Sequence, residues 1–230
     1  MKLPTVVVPE FEIEVPGMKE ALKFRPFLVK ENKILTLALE GGEVIDQVRA
    51  VQQVISNCCI TEIAVDTLPL YQLQWIFIKL KSKSVGDVQS YILTCGKCEN
   101  KINYDMDIND FKVYGNVEES KKKIEITEEA GIVFKYPSAL KQANSANEKD
   151  EDLIYSCIEY IYNDQEVIYK DDITKEELTE WIDNLPVTMT EKIGEFFVDM
   201  PLLGHRLEYK CNECGNNNIT AINGYEHFFV

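Results

Sequence analysis

Cys95-Gly96-Lys97-Cys98 and Cys211-Asn212-Glu213-Cys214-Gly215 are the two stretches that decide the fold. Each pairs two cysteines across two residues, with a glycine inside the pair or just after it. Two thiolates at that spacing reach one metal ion from a tight turn, and a glycine lets the backbone amides bend toward sulfur. Both turns also lie between stretches that read as β-strands. The pattern predicts a zinc-ribbon-like module in which each knuckle is the tip of a hairpin. Cys95, Cys98, Cys211 and Cys214 are then the four ligands of one structural zinc ion. Two other readings stand beside it: unmetallated thiols on unrelated turns, and a redox pair. Neither knuckle opens the helix of a βαβ unit, the setting in which a redox thiolate is activated.

Residues 99–210 lie between the two pairs, a far longer interval than four-cysteine sites usually close over. A single site therefore requires the middle of the chain to be an insertion that returns to the ribbon.

Working outward, residues 88–94 read as the strand entering the first knuckle. Residues 101–108, with Ile102, Tyr104, Met106 and Ile108 alternating, form the strand leaving it. Residues 206–210 and 218–222 flank the second knuckle in the same way. Upstream, Val6 to Val8 and then Phe11, Ile13 and Val15 predict a strand over 5–15. Pro16-Gly17 turns it into a returning strand over 21–28. Helices follow over 29–40, ended by Gly41-Gly42, over 43–59, and over 68–83. For the third, Asp66 or Thr67 is the cap and Pro69 sits in the first turn. Its Trp75-Ile76-Phe77-Ile78 is apolar all round, as in a central buried helix.

Downstream of the first knuckle, 122–127 and 131–136 read as a β pair. Residues 137–150 start as a short helix and turn polar, the most loop-like stretch of the chain. Residues 151–162 carry Leu153, Ile154, Cys157, Ile158 and Ile161 at helical spacing. Thr174 with Glu177, and Thr188 with Glu191, predict capping boxes for helices over 175–184 and 189–200, the latter stopped by Pro201. The expected architecture is α+β. It comprises an N-terminal β-hairpin with a helical bundle (1–87), the first zinc knuckle with its strands (88–136), a mostly helical insertion (137–201), and the second knuckle hairpin with a C-terminal tail (202–230).

Net charge is −15, from 39 acidic and 24 basic residues. Such a chain repels phosphate backbones unless a local basic patch overrides the excess. The runs Lys79, Lys81, Lys83 and Lys121 to Lys123 are short and read as solvated surface. Nucleic acid and anionic membranes are not expected partners. No apolar run approaches the roughly 20 residues of a membrane helix. The N-terminal Met1-Lys2-Leu3-Pro4-Thr5 lacks the apolar core of a signal peptide. A reducing cytoplasm is the expected setting, where the seven cysteines are thiols or metal ligands. Cys58, Cys59 and Cys157 read as small buried hydrophobes.

Catalytic constellations are missing. His205 and His227 have no serine or cysteine in a nucleophile context, and there is no His-Glu-x-x-His. Gly41-Gly42 lacks the lysine and hydroxyl of a phosphate loop. Asp171/Asp172 and Glu176/Glu177 lie at helix starts, where they favour the dipole. No small-molecule substrate is expected, and the chain is not read as an enzyme.

Several segments together resemble one family. They are Phe24-Arg25-Pro26-Phe27-Leu28-Val29-Lys30-Glu31, Lys81-Ser82-Lys83-Ser84-Val85-Gly86, Glu195-Phe196-Phe197, Met200-Pro201, Tyr209-Lys210-Cys211-Asn212-Glu213-Cys214-Gly215 and Glu226-His227-Phe228-Phe229. In this order they resemble the baseplate hub assembly proteins of T-even-type contractile-tailed bacteriophages. The resemblance implies a late viral protein at the tail baseplate hub, either a subunit or a factor that helps the hub assemble. It implies location in the virion tail baseplate or, during assembly, in the host cytoplasm. Its partners would be other hub and tail proteins. The family's second knuckle reads Cys-Pro-x-Cys-Gly; Asn212 replaces the proline here and spares the ligands.

Arg25, Phe27, Lys83, Phe228 and Phe229 are the candidate partner-binding residues. Arg25-Pro26 breaks an apolar strand, and Lys81-Ser82-Lys83-Ser84 is a polar end on a very apolar helix. Their other reading is as solvated junctions between elements, with Arg25 pairing to a core carboxylate. The C-terminal aromatics either dock on their own ribbon or anchor a partner. A zinc-ribbon regulator of transcription is the alternative function, opposed by the charge and the missing basic stripe.

Overall fold

The computed structural model describes residues 7–117, 121–144 and 150–224. The chain is mixed α and β, and it divides into two compact units. One comprises Met1–Val65, Tyr71–Tyr114 and Leu202–Val230; the other comprises Asp66–Leu70 and Gly115–Pro201.

In the first unit, β1 (Phe11–Ile13) and β2 (Leu22–Phe24) form the expected N-terminal hairpin, with shorter strands than the alternation suggested. The Met18 amide donates to the Val15 carbonyl at 2.9 Å and closes the Pro16-Gly17 turn. Helix α1 (Val29–Gly41) packs against α2 (Val44–Cys58). Val48, Val51, Val54, Ile55 and Cys58 of α2 are buried, as steps of three and four require.

Helix α3 (Leu70–Ser84) is the buried helix the sequence predicts: Leu73, Ile76, Phe77, Ile78 and Leu80 are inaccessible to solvent or nearly so. Its start differs from expectation. Val65–Thr67 is a separate 3₁₀ turn, and Pro69 lies outside the helix in an isolated β-bridge to Ser138. Two side chains of α3 reach the hairpin. Trp75 Nε1 donates to the Glu14 carbonyl at 2.8 Å, and Gln72 Nε2 donates to the Pro16 carbonyl at 2.9 Å.

The knuckles sit on two hairpins of the same unit. Strand β3 (Val88–Thr94) pairs antiparallel with β4 (Lys101–Asp107), and the first knuckle is their tip. A short strand missing from the sequence reading, β5 (Lys112–Tyr114), follows.

The second unit holds a four-stranded antiparallel sheet. Its strands are β6 (Lys121–Glu125), β7 (Gly131–Lys135), β8 (Ile158–Tyr162) and β9 (Val167–Tyr169), in that order. Its helices are α4 (Ala139–Asn144), α5 (Asp150–Cys157), α6 (Lys175–Asp183) and α7 (Thr188–Val198). The helix expected over 151–162 is thus corrected: it stops at Cys157 and the chain continues as β8, hydrogen-bonded between β7 and β9. Ile124, Ile132, Phe134, Cys157, Ile158, Leu178, Met189, Ile193 and Phe196 form the core of this unit.

Thr174 caps α6 as expected. Its Oγ1 accepts from the Glu177 amide at 3.2 Å, and Glu177 returns a carboxylate to the Thr174 amide at 2.9 Å. Thr188 does not cap α7: the helix already includes it, and Val187 at the cap position has no side-chain acceptor.

The chain then runs into β10 (Leu202–Lys210), which pairs with β11 (Asn217–Asn223) on one side and β5 on the other. Leu202 lies opposite Tyr114, so the strand leaving the first hairpin and the strand entering the second are neighbours in one sheet. Residues 115–201 depart from and return to that sheet edge.

Candidate metal centre

The candidate metal site lies where the two hairpin tips meet. The tips repeat one turn geometry. In the first, the Cys95 amide donates to the Asn100 carbonyl at 2.9 Å and the Glu99 amide to the Cys95 carbonyl at 3.0 Å. In the second, the Cys211 amide donates to the Asn216 carbonyl at 2.8 Å and the Gly215 amide to the Cys211 carbonyl at 3.0 Å. Both turns pass through a left-handed residue four positions after their first cysteine: Glu99 at φ 59° and Gly215 at φ 68°. The equivalence points both cysteines of each pair to one side.

Cys95 Sγ lies 3.7 Å from Cys214 Sγ, and Cys98 Sγ lies 3.6 Å from Cys211 Sγ. All four sulfurs fall within 4.8 Å of one another. A disulfide needs sulfurs at about 2.05 Å, so these are four separate thiols. Four sulfurs about 2.3 Å from a central ion in a tetrahedron stand about 3.8 Å apart, close to the two distances seen. Cys95 and Cys211 are buried, whereas Cys98 is exposed. Among the described residues this is the group of cysteine, histidine and acidic side chains positioned to hold a metal ion.

The electrostatics of the thiols point the same way. The amides of Cys98 and Lys97 hold the Cys95 thiol down at about 6, with the Lys97 nitrogen 3.4 Å from the sulfur. The amides of Cys214 and Glu213 lower Cys211 similarly. Cys98 moves up to about 12: the Asn100 amide favours its thiolate, but the Cys214 sulfur, burial, and the sulfurs of Cys211 and Cys95 together outweigh that pull. Amides aimed at sulfur invite negative charge, and four sulfurs this close repel it. A bound cation resolves that conflict, because it makes every thiolate favourable at once.

Around the cysteines, side chains join the hairpins. The Gly96 amide donates to Asn218 Oδ1 at 3.0 Å, the Tyr209 hydroxyl to the Thr94 carbonyl at 2.8 Å, and Asn100 Nδ2 to Asn212 Oδ1 at 3.2 Å. None of these contacts was visible in the sequence.

A family model described as T4 bacteriophage base plate protein matches residues 8–230. The chain belongs to this family. No curated protein and no solved structure matches it. Membership covers both knuckles and everything between them, so the four cysteines lie within the baseplate-family segment rather than on an appended module. In addition, no described helix is long and apolar enough to cross a membrane.

The other candidate residues of this baseplate protein lie outside the cysteine cluster. Arg25 Nη2 pairs with Glu31 Oε1 at 3.0 Å and donates to the Asn57 carbonyl at 2.8 Å. Phe27 is buried, and its amide donates to Ser84 Oγ at 3.0 Å. That bond sets the 25–27 stretch beside the exposed Lys83. Phe228, Phe229 and His227 fall outside the described residues. His205 Nδ1 sits 3.1 Å from the Asp110 carbonyl oxygen, in local packing beside Phe111. Cys58 and Cys157 are buried thiols raised to about 11, first by burial, as inert core cysteines are.

Proposed function

We propose that this chain is a non-catalytic component of the central hub of the phage tail baseplate, a subunit of the hub or a factor that assembles it, and that its four cysteines hold a structural zinc ion. The family match over residues 8–230 carries this reading. The sulfur spacing supports the metal. Zinc suits four thiolates in a tetrahedron and needs no open coordination position when its role is structural. Its part is to lock two hairpins that enclose a long insertion, which gives partner proteins a rigid surface to dock on.

Partners are other hub and tail proteins, with no nucleic acid, membrane or small-molecule substrate. Arg25 and Lys83 form one contact surface, and the buried Phe27 supports it from within through its amide bond to Ser84. Because Arg25 also serves the fold, Lys83→Glu is the cleaner probe. It reverses an exposed charge, so lost hub assembly from a normally stable variant supports the surface, and normal assembly removes Lys83 from it.

Mass spectrometry of purified virions and of hub intermediates from infected cells tests the role. Presence in both marks a subunit, presence only in intermediates marks an assembly factor, and absence from both overturns the proposal. Elemental analysis of freshly purified, reduced protein tests the metal, with one zinc per chain expected.

A further inference from the structure

Asn218 is one of few buried polar side chains among the described residues, 8% exposed, and it sits on β11 four residues past Cys214. Its carboxamide is engaged at both ends. Oδ1 accepts the Gly96 amide at 3.0 Å and Asn216 Nδ2 at 3.0 Å, while Nδ2 donates to the Asn216 carbonyl at 3.2 Å. That same carbonyl accepts the Cys211 amide at 2.8 Å. A continuous hydrogen-bonded path therefore runs from the turn carrying Cys95 and Cys98, through one side chain, to the turn carrying Cys211 and Cys214. The backbone donor at Gly96 fixes which end of the carboxamide faces it, so the orientation follows from geometry.

We propose that Asn218 is a positioning residue of the metal centre: it holds the two knuckles face to face before any metal arrives, so the four-thiol site is preformed rather than gathered by the ion. This rests on the reading of the cysteines as metal ligands and adds a role that cysteine spacing cannot supply. Small zinc modules are commonly unfolded without metal, because nothing else joins their knuckles. Here each knuckle tops a hairpin of a large unit, and a buried amide spans the gap. Partners of this kind, which touch ligands or their turns and not the ion, typically set metal affinity by about ten- to a hundred-fold. The Asn100–Asn212 bond also spans the gap but in the open, where water replaces a lost partner at little cost.

The test compares full-length protein with Asn218→Ala, Asn218→Asp and Asn100→Ala. Zinc affinity is read by competition with a chromophoric chelator, and site geometry by the absorption of bound cobalt(II). Asn218→Ala is expected to bind zinc about ten- to a hundred-fold more weakly. Asn218→Asp keeps an acceptor for Gly96, guards against outright misfolding, and should fall between Ala and the parent. Asn100→Ala should stay within about twofold of the parent. In the metal-free parent, the dispersed amide spectrum of the hairpins should persist.

Equal affinity in Asn218→Ala and the parent overturns the positioning role and leaves the metal centre standing. So does hairpin collapse in the metal-free parent. Failure of the parent to bind either metal overturns the metal reading itself.

Discussion

The guanidinium of Arg25 lies 3.0 Å from the carboxylate of Glu31, a side chain with no solvent exposure at all. Glu31 is also the residue that accepts the Leu28 amide, at 2.8 Å, and so opens α1. Arg25 in turn reaches the Asn57 carbonyl near the end of α2. One ion pair thus joins the segment just after β2 to α1 and α2. Removing Arg25 leaves a buried carboxylate with only the exposed Lys30 ammonium, 3.5 Å away, as its cation, which costs far more than the pair itself contributes. Arg25→Ala should destabilise the protein by about 3 kcal/mol. Arg25→Met with Glu31→Leu should recover much of that loss, because it removes both charges. Chemical denaturation of the three proteins checks the pattern, and equal losses in the single and double variants would sink it.

The same pair predicts a pH dependence. Burial pushes the Glu31 carboxyl up, but the Arg25 guanidinium and the Leu28 amide together hold it below the ordinary carboxylate range. A carboxylate depressed in the folded state adds stability that is complete above its unfolded value, about 4.3, and is lost as pH falls below it. In Arg25→Ala the effect of burial loses its main opponent, so protonation relieves the variant instead of harming it. The stability gap between parent and variant should therefore narrow from pH 7 to pH 3. A constant gap across that range would show that Glu31 is not the group responsible.

Glu99 and Gly215 occupy the same place in two equivalent turns, both left-handed, and only one of them is a glycine. A side chain in that conformation costs about 1–2 kcal/mol, and glycine escapes it at some cost in chain entropy. Glu99→Gly should stabilise the protein by about 1 kcal/mol. Gly215→Ala should destabilise it by a similar amount. A Cβ at Gly215 would meet only the end of the Lys210 side chain, at 3.9 Å, so the loss would be backbone strain and not a clash. Thermal melts of the two variants should move in opposite directions.

The turns show where sequence reading stops. Cysteine spacing, flanking alternation and a glycine near each pair are local signals, and they placed both hairpins and their tips. Glu99 offered none, because a non-glycine residue in a left-handed turn is disguised by its own identity. Asn218 acts across the gap between hairpins, so no window along the chain contains both it and Gly96. Strand β5 is three residues long and exists because β10 returns beside it. Strand β8 was hidden differently. Ile158 and Ile161 continue the helical spacing of Leu153, Ile154 and Cys157, and a strand paired on both sides gives no clean alternation to contradict it. Its Ile-Glu-Tyr-Ile-Tyr composition, rich in β-branched and aromatic residues, was the signal to weigh. The Arg25 partner was legible only as a type, a core carboxylate, until α1 brought Glu31 to it.

Metal removal should act on the hairpins first. The ion is expected to tie β3–β4 to β10–β11 through bonds stronger than the side-chain contacts that also join them. A chelator should therefore lower the melting temperature and speed amide exchange in residues 88–107 and 202–223, while the second unit, with its own core around Phe134 and Phe196, keeps its protection. Cys98→Ser should reproduce the effect at about the same size. Cys98 is an exposed residue, so the substitution disrupts the site without opening a cavity in a core. Hydrogen exchange with and without chelator distinguishes this from general destabilisation: uniform loss of protection in both units would mean that the cysteines do not clasp the hairpins. If chelator and Cys98→Ser both leave exchange unchanged, the hairpins are held by Asn218, Tyr209 and packing alone, and the four sulfurs carry no structural metal.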